Sequence, residues 1–255
     1  MTLLSTRSLC INIGNVTVCR ELDMDIERGQ YWGILGSNGI GKTTLLHTLA
    51  GLRRPDRGTI MLEQKDLEKW TRKDLAQRIG VLFQDSADTF PVSVLETAMT
   101  GRYPYLPFWS VEGNTDYKIV TEVLSLLALD DMTDRAVNTL SGGERRRLAI
   151  ATLMVQNPLL WLLDEPTNHL DLHHQIKLLD LLVDRIRLVN GSLIMVLHDV
   201  NLVMRFCTHV MLMLGSDHIL YGPVTEVISR DNLQQLYRHP IQEFRAGAMR
   251  FFYPQ

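Results

Sequence analysis

Cysteine is scarce in this chain of 255 residues: Cys10, Cys19 and Cys207 are the only three, and none has Cys-x-x-Cys spacing. An odd, scattered set excludes a disulfide framework and a thiolate metal site. The three are expected to be reduced, buried small hydrophobes. Long hydrophobic runs are missing as well. The longest uncharged stretch, Leu148 to Leu163, is interrupted by Gln156, Asn157 and Pro158 and falls short of an apolar membrane span, so a soluble chain is expected. Met1 to Ser8 lacks the apolar segment and small-residue cleavage site of a secretory signal, which makes the cytoplasm the expected compartment. There is no excess of positive charge. A net charge of −3 and a pI near 6.2 have the wrong sign for neutralising many phosphates, so no nucleic-acid partner is expected. Internal repeats, low-complexity tracts and long charged linkers are absent, so residues 1–255 read as a single domain. A hydrophobic content of 45% is enough for a sizeable core.

The organisation follows from hydrophobic periodicity. Leu9, Ile11, Ile13, then Val16, Val18, then Leu22, Met24 and Ile26 alternate with polar residues and predict short antiparallel strands, an N-terminal antiparallel β subdomain. Tyr31 to Leu35 is a short apolar run entering a glycine-rich turn. Leu45, Leu46, Leu49 and Leu52 follow at helical spacing, with Gly51 and Pro55 as stop signals. Ile79 to Phe83, Leu159 to Leu163 and Leu193 to Leu197 are strand-length apolar runs of the kind found in a parallel sheet covered on both faces. Between Asp85 and Asn157 the pattern turns helical, with Ile119, Val120, Val123, Leu124 and Leu127 in one stripe. The fold predicted is α/β, a core with a mainly parallel sheet and a helical subdomain inserted at about residues 86–157.

The chemistry starts at Gly36-Ser37-Asn38-Gly39-Ile40-Gly41-Lys42-Thr43, which fits G-x-x-x-x-G-K-[ST] between a predicted strand and a predicted helix. Glycines there let backbone N–H groups, through Thr44, converge on phosphate oxygens, and the helix start adds positive potential. Lys42 supplies a point charge to the terminal phosphates, and Thr43 can ligate Mg²⁺. The run Leu159 to Leu163 ends in two adjacent carboxylates. Asp164 is placed to hold Mg²⁺, and Glu165, pointing the other way, can polarise an attacking water as general base. The plainer alternative is a solvated strand end before the Pro166 turn. A second glycine cluster, Leu140-Ser141-Gly142-Gly143-Glu144, precedes another helical segment. Ser141 and Glu144 have capping-box spacing, yet two bare glycines also make a second anion site.

Together these motifs resemble ATP-binding-cassette ATPases over nearly the whole chain, a family built on a P-loop NTPase core. The resemblance implies ATP as cofactor and a homodimer in which each chain's signature segment closes on the nucleotide held by the other. It implies that Ser141 and Gly143 touch the partner's γ-phosphate, with Gly142 between them in the nucleotide-binding set, and that Asp171 lies where the two chains meet. Gln84 is similar to the glutamine that reaches metal and attacking water, and His198 to the histidine that orients the catalytic glutamate. His169, His173 and His174 near Asp171 read as a solvated helix start rather than a metal cluster.

The chain also departs from the family. Ile13 stands where an aromatic commonly stacks on adenine, and no aromatic precedes Tyr31. Ser37, Ile40, Trp161 and Glu144 differ from the commonest residues without removing a required group. With no membrane span, the resemblance implies separate transmembrane permease subunits, contact with an external substrate-binding protein only through them, and a place on the cytoplasmic face of the membrane. Gly101-Arg102-Tyr103-Pro104, following Ser93 to Thr100, looks like importers of ferric siderophores, haem and cobalamin. The aromatic stretch through Tyr105, Phe108 and Trp109 reads equally as a partner-facing patch or a local minicore. A soluble cassette ATPase acting on ribosomes or DNA and an importer of another substrate are the alternatives.

Overall fold

The computed structural model describes residues 1–14, 16–84, 92–107, 109–168, 170–215, 218–247 and 249–255. Asp85, Phe108, His169 and residues 86–91, all named above, lie outside these. The chain opens with a long antiparallel hairpin, β1 (Thr2–Ile13) and β2 (Val16–Glu27), where the alternation predicts several short strands. The difference has a local cause. The β1–β2 register shifts between Thr6 and Leu9, Leu9 and Ile11, and Ile11 and Asn12, and Ser8 and Glu21 take left-handed φ of 45° and 50°. Each irregularity resets which residues face inward, so one strand reads as pieces.

Next come β3 (Tyr31–Gly36), α1 (Lys42–Leu49), β4 (Arg57–Leu62), β5 (Lys65–Asp66), α2 (Arg72–Ala76) and β6 (Ile79–Leu82). A helical stretch follows with α3 (Val94–Met99), α4 (Asn114–Leu126) and α5 (Gly142–Gln156). The chain then alternates through β7 (Leu160–Asp164), α6 (Leu172–Leu188), β8 (Ser192–Val196), α7 (Val200–Phe206) and β9 (His209–Gly215). It finishes with β10 (His218–Pro223), α8 (Val224–Val227), α9 (Arg230–Tyr237), β11 (Ile241–Ala246) and β12 (Met249–Pro254). Leu52 is not part of α1's apolar face: the helix stops at Leu49, Gly51 turns left-handed at φ 70°, and Leu52 is exposed.

Three sheets result among the described residues. One is antiparallel, in the order β2-β1-β4-β5; the second runs β10-β9-β3-β8-β7-β6, parallel except for β10; the third is the hairpin β11-β12. Apart from its edge strand β10, the central sheet is buried on both faces, and its strands divide their residues between two cores. Trp161, Leu163, Leu193 and Met195 join the core shared with α3–α7. Leu160, Leu162, Ile194 and Val196 join the core shared with α1 and the antiparallel sheet. That double burial is why these strands are continuous apolar runs; each fully buried Leu or Ile contributes about 1.5–3 kcal/mol relative to exposure. Val120, Val123, Leu124 and Leu127 of the predicted stripe are buried, with Ile119 partly so.

The aromatic stretch is divided. Tyr105 is tied inward, its hydroxyl donating to Gln156 O at 2.7 Å and its ring beneath the Arg102 guanidinium, whereas Tyr103 and Trp109 are exposed. Cysteine also splits: Cys19 and Cys207 are buried and free, and desolvation pushes both thiols up, Cys19 to about 12, but Cys10 is only half-buried.

Candidate functional site

The parallel strands end at one edge of the sheet, and the turns leaving them carry the predicted site residues. From β3 the chain enters the loop Gly36 to Gly41, in which Gly39 and Gly41 have φ of 76° and 105°. Gly41 could carry no side chain, since a Cβ there would lie 2.5 Å from Val18 Cγ2 on β2. Ser37, Asn38 and Gly39 are exposed; Ile40 and Thr44 are half-buried. Among the described residues no side chain caps α1, and its first turn holds no acidic residue, so no side chain there claims its first N–H groups. Lys42 is buried, with Nζ donating to Gly36 O at 2.8 Å and Ser37 O at 3.0 Å. Desolvation draws its ammonium below the ordinary lysine range, while Glu165 and Asp164 pull the other way.

Thr43, one residue on, donates from Oγ1 to Asp164 Oδ2 at 2.6 Å, joining α1 to the end of β7. Asp164 is 1% exposed, and its second oxygen, Oδ1, is buried with no hydrogen-bond partner among the described residues. A buried carboxylate oxygen left in that state is costly unless something positive meets it. Directly after it the backbone of Glu165 turns left-handed at φ 50°. The Glu165 side chain thus leaves in a different direction from Asp164 and meets three donors. His198 Nε2 lies 2.8 Å from Oε1, Gln84 Nε2 donates to Oε2 at 3.1 Å, and Asn168 Nδ2 also donates to Oε2. Gln84 and His198 are exposed while Glu165 is only 9% exposed, so the carboxylate is recessed behind two groups that solvent reaches.

The remaining predicted residues stand apart. Ser141 caps α5 in a full capping box: its Oγ accepts from Glu144 N at 3.3 Å, and Glu144 Oε2 accepts from Ser141 N at 2.7 Å. The Ser141 N–H and hydroxyl hold the Glu144 carboxyl below the usual range. Ser141 and Gly142 are exposed, Gly143 is half-buried, and a Cβ built on Gly142 meets nothing. Asp171 caps α6, accepting from His174 N at 2.9 Å and pairing with His174 Nδ1 at 2.8 Å; the first contact chiefly depresses its carboxyl. No hydrogen bond among the described residues joins Ser141 or Asp171 to the phosphate loop. The chain therefore brings together Lys42, Thr43, Gln84, Asp164, Glu165 and His198, and leaves Ser141, Gly142, Gly143 and Asp171 on its surface.

Two residues at the site escape sequence reasoning. Asn168 follows Glu165 by three positions and reads as an ordinary turn residue. Arg146 sits inside the run Arg145-Arg146-Arg147, which reads as a solvated charged face, yet it is buried and donates to the carbonyls at the ends of β6 and β7.

Comparison with known proteins adds the family. The model described as ABC transporter matches residues 19–168, more than half of the chain. The chain is 37% identical over 240 residues to the "Probable siderophore transport system ATP-binding protein YusV" of Bacillus subtilis, covering 93% of this chain and 86% of that protein. It is 32% identical over 261 residues to the hemin import ATP-binding protein HmuV of Bradyrhizobium diazoefficiens, covering 99% and 94%. Among solved structures, it is similar to an inward-facing ABC transporter assigned to the metal-chelate type. The TM-score is 0.85 with 28% identity, covering 100% of this chain and 98% of that one. The signature segments, the mixed sheet with its antiparallel annex and these relatives agree: the chain belongs to the ABC transporter family and is one of its ATPases.

Proposed function

We propose that the chain is the ATP-hydrolysing subunit of an importer for ferric siderophores, haem or cobalamin, and that Glu165 is the general base of its reaction. The observation that carries the chemistry is the Glu165 carboxylate, recessed and met by His198, Gln84 and Asn168 beside the Thr43–Asp164 pair. The N–H groups from Gly36 to Thr44, with Ser37, Asn38, Gly39, Ile40 and Gly41 between, and the Lys42 ammonium hold the β- and γ-phosphates. Glu165 takes the proton of the attacking water, and His198 Nε2 holds the carboxylate in the orientation that reaches it. Gln84 sits where water and phosphate meet. The cargo reading rests on what the relatives are named for: siderophore transport and hemin import.

The donor set also suits Mg²⁺. The hydroxyl of Thr43, the carboxylate of Asp164 and the amide of Gln84 are hard oxygen ligands, and the orphaned Asp164 Oδ1 is a buried anion in want of a cation. When bound, Mg²⁺ would neutralise charge on the phosphate oxygens. Ser141, Gly142 and Asp171, exposed on this chain, and the half-buried Gly143 act on the ATP held by a second copy. No helix among the described residues is long and apolar enough to cross a membrane. The transmembrane part accordingly belongs to permease subunits, with this chain peripheral on the cytoplasmic face of the inner membrane and in touch with a substrate-binding protein only through them.

The experiment is to purify the chain with candidate permeases in lipid vesicles and measure phosphate release with ferric siderophore, haem or cobalamin outside. Stimulation by one of them, lost in Glu165→Gln, is expected. Stimulation by none, with a different cargo class raising the rate, would overturn the cargo assignment; full turnover in Glu165→Gln would remove the base.

A further inference from the structure

We propose that Arg146 is a positioning residue that fixes both the Glu165 and the Gln84 backbone, so that the start of α5 and the hydrolytic groups move as one body. The proposal rests on Glu165 being the base. Arg146 is 8% exposed, and its guanidinium serves five carbonyls. Nη2 donates to Asp164 O at 2.5 Å and Glu165 O at 2.6 Å, Nη1 to Phe83 O at 2.6 Å and, more weakly, Gln84 O at 3.5 Å, and Nε to Pro166 O at 3.3 Å.

The choice of carbonyls matters more than their number. Asp164 O and Glu165 O belong to the two peptide planes that flank the Glu165 Cα. With both planes held, φ and ψ of Glu165 are set, and so is the direction of its Cα–Cβ bond. Phe83 O and Gln84 O belong in the same way to the two planes flanking Gln84. One planar, five-donor fork thus aims both side chains. Aiming is needed at Glu165, because a φ of 50° is disfavoured for any residue with a Cβ and persists only where surrounding contacts impose it. Beyond the Cβ, Gln84, Asn168 and His198 hold the carboxylate itself. Since Arg146 lies on α5, little more than a turn from Ser141, any shift of that helix start reaches both groups through the same side chain.

The test uses the full chain, comparing Arg146→Lys and Arg146→Met with Met154→Ala, which trims a buried side chain of the same helix. A lysine keeps the charge but cannot span two strand ends. Displacing reacting groups by about 1 Å costs up to about 100-fold, so kcat for ATP is expected to fall about 10- to 100-fold in both variants with KM within about twofold. Tm should fall no further than in Met154→Ala. Combined with Glu165→Gln, Arg146→Lys should cost clearly less than it does alone, because part of its effect passes through Glu165. Near wild-type kcat in Arg146→Lys overturns the proposal, as does a multiplicative loss in the double variant, which marks a general structural role. If Arg146→Met does not fold, Arg146→Lys decides alone. Full turnover in Glu165→Gln condemns the base assignment instead, whatever Arg146 does.

Discussion

The phosphate loop and the Leu140 to Glu144 segment are both glycine-rich turns that open a helix, yet their first-turn N–H groups have different fates. At α1 no side chain among the described residues caps the helix, no acid lies in the first turn, and the neighbouring Lys42 and Asp164 are buried. At α5 the Ser141 and Glu144 side chains close a capping box, and the carboxylate is held in its charged form. The start of α6 is also capped, by the Asp171 side chain accepting from His174 N. A capped start is complete on its own; an uncapped one is an open anion site. On the proposed reading the first segment holds phosphate within this chain, while the second presents Ser141 and the exposed Gly142 outward, the arrangement expected of a surface that completes another copy's site.

The comparison can be broken from either side. The largest effect is expected at the recessed carboxylate: Glu165→Gln should lower phosphate release about 10²- to 10⁴-fold while nucleotide binding persists. Next, Lys42→Ala should weaken ATP binding about 10- to 100-fold, the worth of one or two charge-assisted contacts, whereas Ser141→Ala should leave binding by the isolated chain unchanged and reduce only turnover. Equal losses of affinity in both would erase the distinction between the two segments. Ile13→Tyr is expected to tighten ATP relative to GTP by up to about 1–3 kcal/mol, the range of a base stacked on an aromatic ring, read by competition binding; unchanged affinities would show that adenine does not reach this hairpin tip.

The smallest effect is one of stability. Arg102 Nε donates to Asp116 Oδ1 at 2.8 Å, and that contact chiefly holds the Asp116 carboxyl below the aspartate range. A depressed pKa contributes stability that is present above the ordinary value and lost as pH falls through the folded one. Asp116→Asn should therefore lose about 1–3 kcal/mol at neutral pH in urea unfolding, and the gap to wild type should close as pH drops below 3.8.

The central sheet was legible because its strands are buried on both faces, so continuous apolar runs such as Leu160 to Leu163 have no other comfortable place. The phosphate loop, Asp164-Glu165 and the signature segment were legible because each couples a glycine or charge pattern to a change of secondary structure. The N-terminal hairpin was read in fragments because its bulges interrupt the alternation, and β11–β12 gave no comparable signal. Asn168 and Arg146 could not be read at all: an asparagine in a turn and an arginine among arginines announce nothing until the ends of β6 and β7 are brought together around them.

The most direct measurement is the mass of Glu165→Gln in solution, by sedimentation velocity with and without ATP. If each chain holds half of two sites, ATP should convert monomer to dimer, and Ser141→Ala added to that background should weaken the conversion. A chain that fills with ATP and stays monomeric would contradict the division of the site between two copies.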